Sequence, residues 1–156
     1  MQRVFLLGVP VDSVTGREAR DRLVQLLHKG GQRHVMTPNS EMLVEACRNP
    51  VFHNVLRRSA LNLPDSIGLL WMARCTGQKI PERVTGVDTV LQLCVELAEE
   101  HPVFLLGGME GVGAKARASL EARNRRLRVV GVYAGSPQEE DAAELLRRIN
   151  DVKPHL

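Results

Sequence analysis

Thr37-Pro38-Asn39-Ser40-Glu41 follows the apolar run His34-Val35-Met36 and precedes Met42-Leu43-Val44-Glu45-Ala46-Cys47. The first run reads as the end of a buried strand and the second as a helix. Pro38 sets its own φ near the helical value and pushes Thr37 toward an extended conformation. Asn39 or Ser40 can then cap the helix through a side-chain oxygen. Strand, polar turn and helix N-terminus in that order define the carboxyl end of a strand in an open α/β sheet, where ligands bind. Backbone N–H groups and the helix dipole there favour an anion. The same five residues also make a good turn and cap with no ligand at all.

The pattern recurs on both sides of this stretch. Arg3–Val9 reads as a first strand, running into the turn Val9-Pro10-Val11-Asp12, with Asp12 or Ser13 capping a helix from about Thr15 to Leu27. Helices are predicted over Ser40–Arg48 and Pro50–Arg58. The strand Ser59–Leu63 then enters a second turn, Pro64-Asp65-Ser66, of the same kind as the first. Ile67–Arg74 is apolar almost all round, the mark of a buried helix. A loop with Pro81, Glu82 and Arg83 leads to a helix from Thr85 to about Glu100. Val103–Leu106 is a strand, followed by Gly107–Gly113 and a helix from Ala114 to about Asn124. Leu127–Val132 is a strand ending in Tyr133–Pro137, with a helix over Gln138–Ile149 and the approach to a further strand from Asp151. Alternating strands and helices predict one α/β domain over 1–156, a Rossmann-like doubly wound, mostly parallel sheet flanked by helices. The last strand is not reached, so a C-terminally truncated domain is expected.

Composition narrows the function classes. Of 156 residues, 44% are hydrophobic and 25% charged, ordinary for a globular protein with a real core. Aromatics make up only 3%, so the core is aliphatic and base stacking on single-stranded nucleic acid is disfavoured. A net charge of +3 suits an anionic ligand or an acidic membrane surface. Cys47, Cys75 and Cys94 form no CxxC pair and are read as buried free thiols in a reducing compartment. No signal peptide or membrane-span-length apolar run is seen, which reads as cytosolic.

The chemistry-bearing candidates lie at the strand ends. Asp65 follows a buried strand and is the best acid/base candidate; its alternative role is to cap the helix at Ser66. Arg83 would clamp a diphosphate or pair with Glu82. Asp88 can serve a ligand or act as a helix N-terminal acid. Gly107, Gly108 and Gly111 resemble a phosphate-cradling loop, yet form neither a Walker loop nor a GxGxxG, and tight strand-to-helix packing explains them as well. On a parallel sheet these turns, with Tyr133, would share one edge. The five histidines share no ligand spacing.

Four blocks together are more specific than any one. Thr37–Glu41, Leu63–Gly68, Pro81–Asp88 and Phe104–Gly108 resemble, in order and spacing, the WecG/TagA/CpsF glycosyltransferases, most closely the wall teichoic acid branch, the N-acetylmannosaminyltransferases. The resemblance implies an inverting transfer of N-acetylmannosamine from UDP-N-acetylmannosamine to a polyprenyl-diphosphate-linked N-acetylglucosamine. It implies catalytic roles for Asp65 and Thr37, with Asn39, Arg83, Asp88, Gly107, Gly108, Gly111 and Tyr133 binding substrate. It further implies no cofactor and, with no Asp-x-Asp motif, no metal. A homo-oligomer is expected, with no nucleic-acid partner, acting peripherally at the inner face of a bacterial membrane. Family members continue past this point with a strand, a glutamine-bearing turn and a basic appendage. The competing readings are another nucleotide-binding α/β enzyme such as an oxidoreductase, a transferase using UDP-N-acetylmannosamine uronate, or a non-catalytic binding module. The missing GxGxxG after the first strand weighs against the oxidoreductase.

Overall fold

The computed structural model describes residues 2–135 and 138–156. The Ser136-Pro137 part of the predicted last turn lies outside the described residues. The architecture is the Rossmann-like α/β arrangement that the alternation predicts, with short strands paired two by two. The chain divides into two compact units, Met1–Val90 and Leu91–Leu156.

The first unit opens with a hairpin rather than one long strand. β1 (Arg3–Leu6) pairs antiparallel with β2 (Val9–Asp12), in the register Arg3 to Asp12 and Leu6 to Val9. The turn residues Leu7 and Gly8 both take positive φ, 50° and 80°, as a two-residue hairpin with the native twist requires. Sequence reading missed this turn because leucine rarely enters that region and β2 shows no apolar–polar alternation: all four of its residues are buried. Pro10 has no N–H to give to its partner Phe5. On the outer edge of β1 the Gln78 amide accepts from Phe5 N–H at 3.1 Å and donates to Phe5 C=O at 3.2 Å, as a neighbouring strand would.

α1 (Gly16–Lys29) is capped by Thr15, not by Asp12 or Ser13. Thr15 and Glu18 form a reciprocal capping box, and the two hydrogen bonds from Thr15 hold the Glu18 carboxyl below its ordinary range. Asp12 is instead fully buried. It accepts from Arg3 Nε at 2.9 Å and from the backbone N–H of Asn62 at 2.7 Å.

β3 (Val35–Met36) and β4 (Leu61–Asn62) pair in parallel. Between them run α2 (Ser40–Arg48) and α3 (Pro50–Arg58), broken at Asn49, which ends one helix and caps the next with Pro50 at its first position. α4 (Ile67–Cys75) and α5 (Gly86–Glu96) follow. The hairpin packs Val4, Leu6, Val9 and Val11 against Leu43, Leu56 and Leu69 of the helices in a wholly aliphatic core. α4 is not buried all round as its composition predicts. Leu69, Leu70 and Ala73 face the core, while Ile67 and Trp71 are 53% and 60% exposed.

In the second unit β5 (Val103–Leu106) and β6 (Val129–Tyr133) pair in parallel across α6 (Val112–Arg123). Two glycines permit close packing: a Cβ on Gly113 would strike Val132, and one on Gly131 would strike the Phe104 ring. α7 (Ala142–Val152) begins later than its acidic residues suggest, because Glu139 and Glu140 sit in the turn before it. Beyond α7, His155 N–H donates to Pro102 C=O at 2.8 Å and Phe104 N–H to Leu156 C=O at 2.7 Å, so His155-Leu156 runs beside β5 in the manner of a strand. Cys94 is buried, and desolvation pushes its thiol pKa up. Cys47 and Cys75, expected to be buried, are exposed, each on the solvent face of its helix.

Candidate active site

The parallel ladder of β3 and β4 continues past both strands. Leu63 N–H donates to Met36 C=O at 2.8 Å and Asp65 N–H to Pro38 C=O at 3.0 Å. The turns Thr37–Ser40 and Pro64–Ser66 are thereby locked side by side. Val84 N–H donates to Pro64 C=O at 2.9 Å, adding the Arg83–Gly86 loop as a third layer. The backbone thus brings together three of the sequence blocks.

Within this cluster each side chain has a definite position. Asn39 is the helix cap: its Oδ1 accepts from Met42 N–H at 2.9 Å, which leaves its amide donors for other partners. Ser40 Oγ does not cap; it lies 3.1 Å from Ser66 Oγ. Asp65 is half-buried and does not cap α4, the alternative its sequence position allowed. Its Oδ2 accepts from Gly86 N–H, the first residue of α5, at 3.1 Å. Among the described residues no donor meets its Oδ1. The carboxylate is therefore held by one oxygen at a helix N-terminus and presents the other.

Gly86 is the residue that sequence reasoning missed. Besides holding Asp65, it abuts Thr37: a Cβ built on Gly86 would lie 3.0 Å from Thr37 Cγ2 and 3.2 Å from its Oγ1. Thr37 and Asp65 thus converge on one backbone position. The signal was in the spacing, since glycine at a helix start with no turn to make implies close approach. Gly86→Ala is expected to displace Thr37 by a few tenths of an ångström and to lower turnover about tenfold without unfolding the protein. Steady-state kinetics beside a circular dichroism melt checks this; an unchanged rate would show that Thr37 is not held for a reaction.

Arg83 is exposed and forms no ion pair with Glu82. The Glu82 carboxylate instead takes the Gly16 N–H. Asp88 acts as a helix-start acid. Its Oδ2 accepts from Thr85 Oγ1 at 2.5 Å, and its N–H donates to the same oxygen at 3.1 Å.

The remaining candidates lie in the second unit. Gly107, Gly108 and Gly111 all take positive φ, at 99°, 81° and 79°. Gly107 N–H donates to Tyr133 C=O at 2.8 Å and Gly135 N–H to Gly108 C=O at 3.0 Å, so the glycine turn and the end of β6 are bonded together. The Arg148 guanidinium lies 5.6 Å from the Tyr133 ring centre. α6 follows Gly111 with no side-chain cap, and its first N–H, that of Val112, donates to Met109 C=O at 3.1 Å. Among the described residues there is no cluster of three metal-ligating side chains and no helix long and apolar enough to cross a membrane.

Paired parallel strand ends, each opening through a polar turn into a helix, define the ligand edge of a Rossmann-like α/β protein. The chain belongs to the glycosyl transferase WecG/TagA/CpsF family, whose model matches residues 4–156. It is 25% identical over 118 residues to the N-acetylglucosaminyldiphosphoundecaprenol N-acetyl-beta-D-mannosaminyltransferase of Bacillus subtilis (strain 168), covering 74% of this chain and 46% of that one. It is 24% identical over 107 residues to the protein of the same name from Bacillus spizizenii, covering 68% and 42%. The chain thus spans less than half the length of these curated relatives.

Proposed function

We propose that this chain carries the catalytic core of an inverting glycosyltransferase that moves N-acetylmannosamine from UDP-N-acetylmannosamine to a polyprenyl-diphosphate-linked N-acetylglucosamine, in teichoic acid synthesis. The observation that carries the reading is the Asp65 carboxylate, fixed through Oδ2 by the N–H of Gly86, the same residue that Thr37 abuts. In an inverting transfer one base takes the proton of the acceptor hydroxyl while that oxygen attacks the anomeric carbon and UDP departs from the opposite face. Asp65 is that base: it gains the proton, and the sugar–phosphate electron pair leaves with UDP. Thr37 positions the hydroxyl, and the Asn39 amide donors hold a sugar. The departing diphosphate needs positive charge or N–H donors, and in the first unit the exposed Arg83 is a group of that kind. Asp88 supports substrate binding by fixing the start of α5.

No step calls on a metal or a cofactor. The acceptor is membrane-borne, which puts the enzyme at the cytoplasmic face of the membrane. A thermal-shift titration separates this reading from that of an oxidoreductase. UDP is expected to raise the melting temperature in EDTA, and NAD to leave it unchanged; stabilisation by NAD alone would overturn the assignment.

A further inference from the structure

α4 leaves the reacting centre with an unusual exposed face. Ile67, Trp71 and Arg74 stand at i, i+4 and i+7, so they form one stripe along the helix. All three are exposed, and Ile67 lies only two residues beyond Asp65. At about 1.5 Å of rise per residue the stripe runs about 10 Å from Ile67 to Arg74. The Arg74 guanidinium sits 5.6 Å from the Trp71 ring centre, and among the described residues no carboxylate pairs with it. α4 also begins without a side-chain cap at Ser66, with Leu69 N–H donating to Ser66 C=O at 3.2 Å.

We infer that this stripe is the acceptor subsite, where the hexosamine–diphosphate head of the lipid-linked acceptor lies along α4. This rests on the proposed transfer reaction. The order of chemistry along the helix matches the order in the acceptor. The attacking hydroxyl meets Asp65, the C–H face of the hexosamine covers the indole of Trp71, and the diphosphate reaches Arg74. An aromatic ring offers a flat apolar surface to sugar C–H groups, and a guanidinium matches phosphate oxygens two at a time. A purely apolar partner would leave Arg74 desolvated and unpaired, whereas a diphosphate pairs with it.

Trp71 is the single tryptophan of the chain, so its emission reports this surface alone. Titration with farnesyl-diphosphate-linked N-acetylglucosamine is expected to change Trp71 emission saturably, while UDP leaves it unmoved. Arg74→Ala and Trp71→Ala are expected to raise the acceptor KM roughly tenfold with the donor KM unchanged, and Trp71→Phe to stay near the parent value. Transfer with no change in emission would overturn the subsite and leave the transferase reading standing. Saturable emission without transfer would do the reverse. Silence in both would defeat both. An equal response to phosphatidylglycerol vesicles lacking acceptor, or to protein concentration alone, would also overturn it, assigning the stripe to a membrane surface or to a second copy.

Discussion

Asp65→Asn is expected to lower turnover by at least about a hundredfold while UDP binding stays nearly intact. Asparagine is close in size to aspartate, and its carbonyl oxygen can still accept the Gly86 N–H now bonded at 3.1 Å. The turn between β4 and α4 is therefore kept, as is the bond from Asp65 N–H to Pro38 C=O. What is lost is the ability to take a proton. A structural cap would behave differently, since replacing it by an isostere with one acceptor would cost a little stability and no rate. Steady-state turnover and UDP affinity measured on the same preparation decide the point. Near-normal turnover would remove Asp65 from the mechanism.

The second large effect is on stability. Asp12 is fully buried and its two oxygens serve different elements, one the Arg3 side chain and the other the Asn62 N–H. Arg3 also donates to the carbonyls of Ser59 and Ala60 at 3.3 and 3.2 Å. Asn62, itself fully buried, donates to Pro10 C=O at 2.8 Å and to Leu56 C=O at 2.7 Å. The hairpin is thus tied to β4, the strand that delivers Asp65. Asp12→Ala leaves a buried N–H and a guanidinium without their acceptor. Breaking such a pair costs about 3–5 kcal/mol when fully buried, and Arg3 keeps a third of its side chain in water, so about 3 kcal/mol is expected. Asp12→Asn retains one acceptor and should recover part of it. Urea unfolding at equilibrium measures both. A loss under about 0.5 kcal/mol, the scale of an ordinary surface substitution, would show that the tie is not needed.

What the sequence makes legible here is local, and what it hides is mostly pairing across the chain. Pro38 and Pro64 announce their turns because proline fixes φ and the residue before it. Asn39 or Ser40 announces a helix start because a short acceptor side chain fits there. The alternation of strands and helices follows from the same cues, and so does the α/β class. The Leu7-Gly8 hairpin carries no such cue, since its turn puts leucine where glycine or asparagine is usual. Asp12 reads as a cap from its neighbours and is a buried acceptor only because Arg3 and Asn62 arrive from elsewhere. Gly86 looks like a helix-start glycine until Thr37 and Asp65 are seen on either side of it. For α4 an apolar composition predicts burial, whereas the structure leaves Ile67 and Trp71 in solvent beside the carboxylate. At Asp65 itself the residue type and position were readable, but not the helix it caps: that bond joins residues 21 apart in the chain.

Sugar transfer by this fold can be measured directly. The protein is incubated in EDTA with UDP-N-acetylmannosamine and polyprenyl-diphosphate-linked N-acetylglucosamine, and the lipid product is weighed by mass spectrometry as UDP release is followed. The expected result is one added N-acetylhexosamine per lipid and UDP in equal amount. UDP-sugar hydrolysis with no gain in lipid mass, or transfer only when a divalent metal is restored, would contradict it.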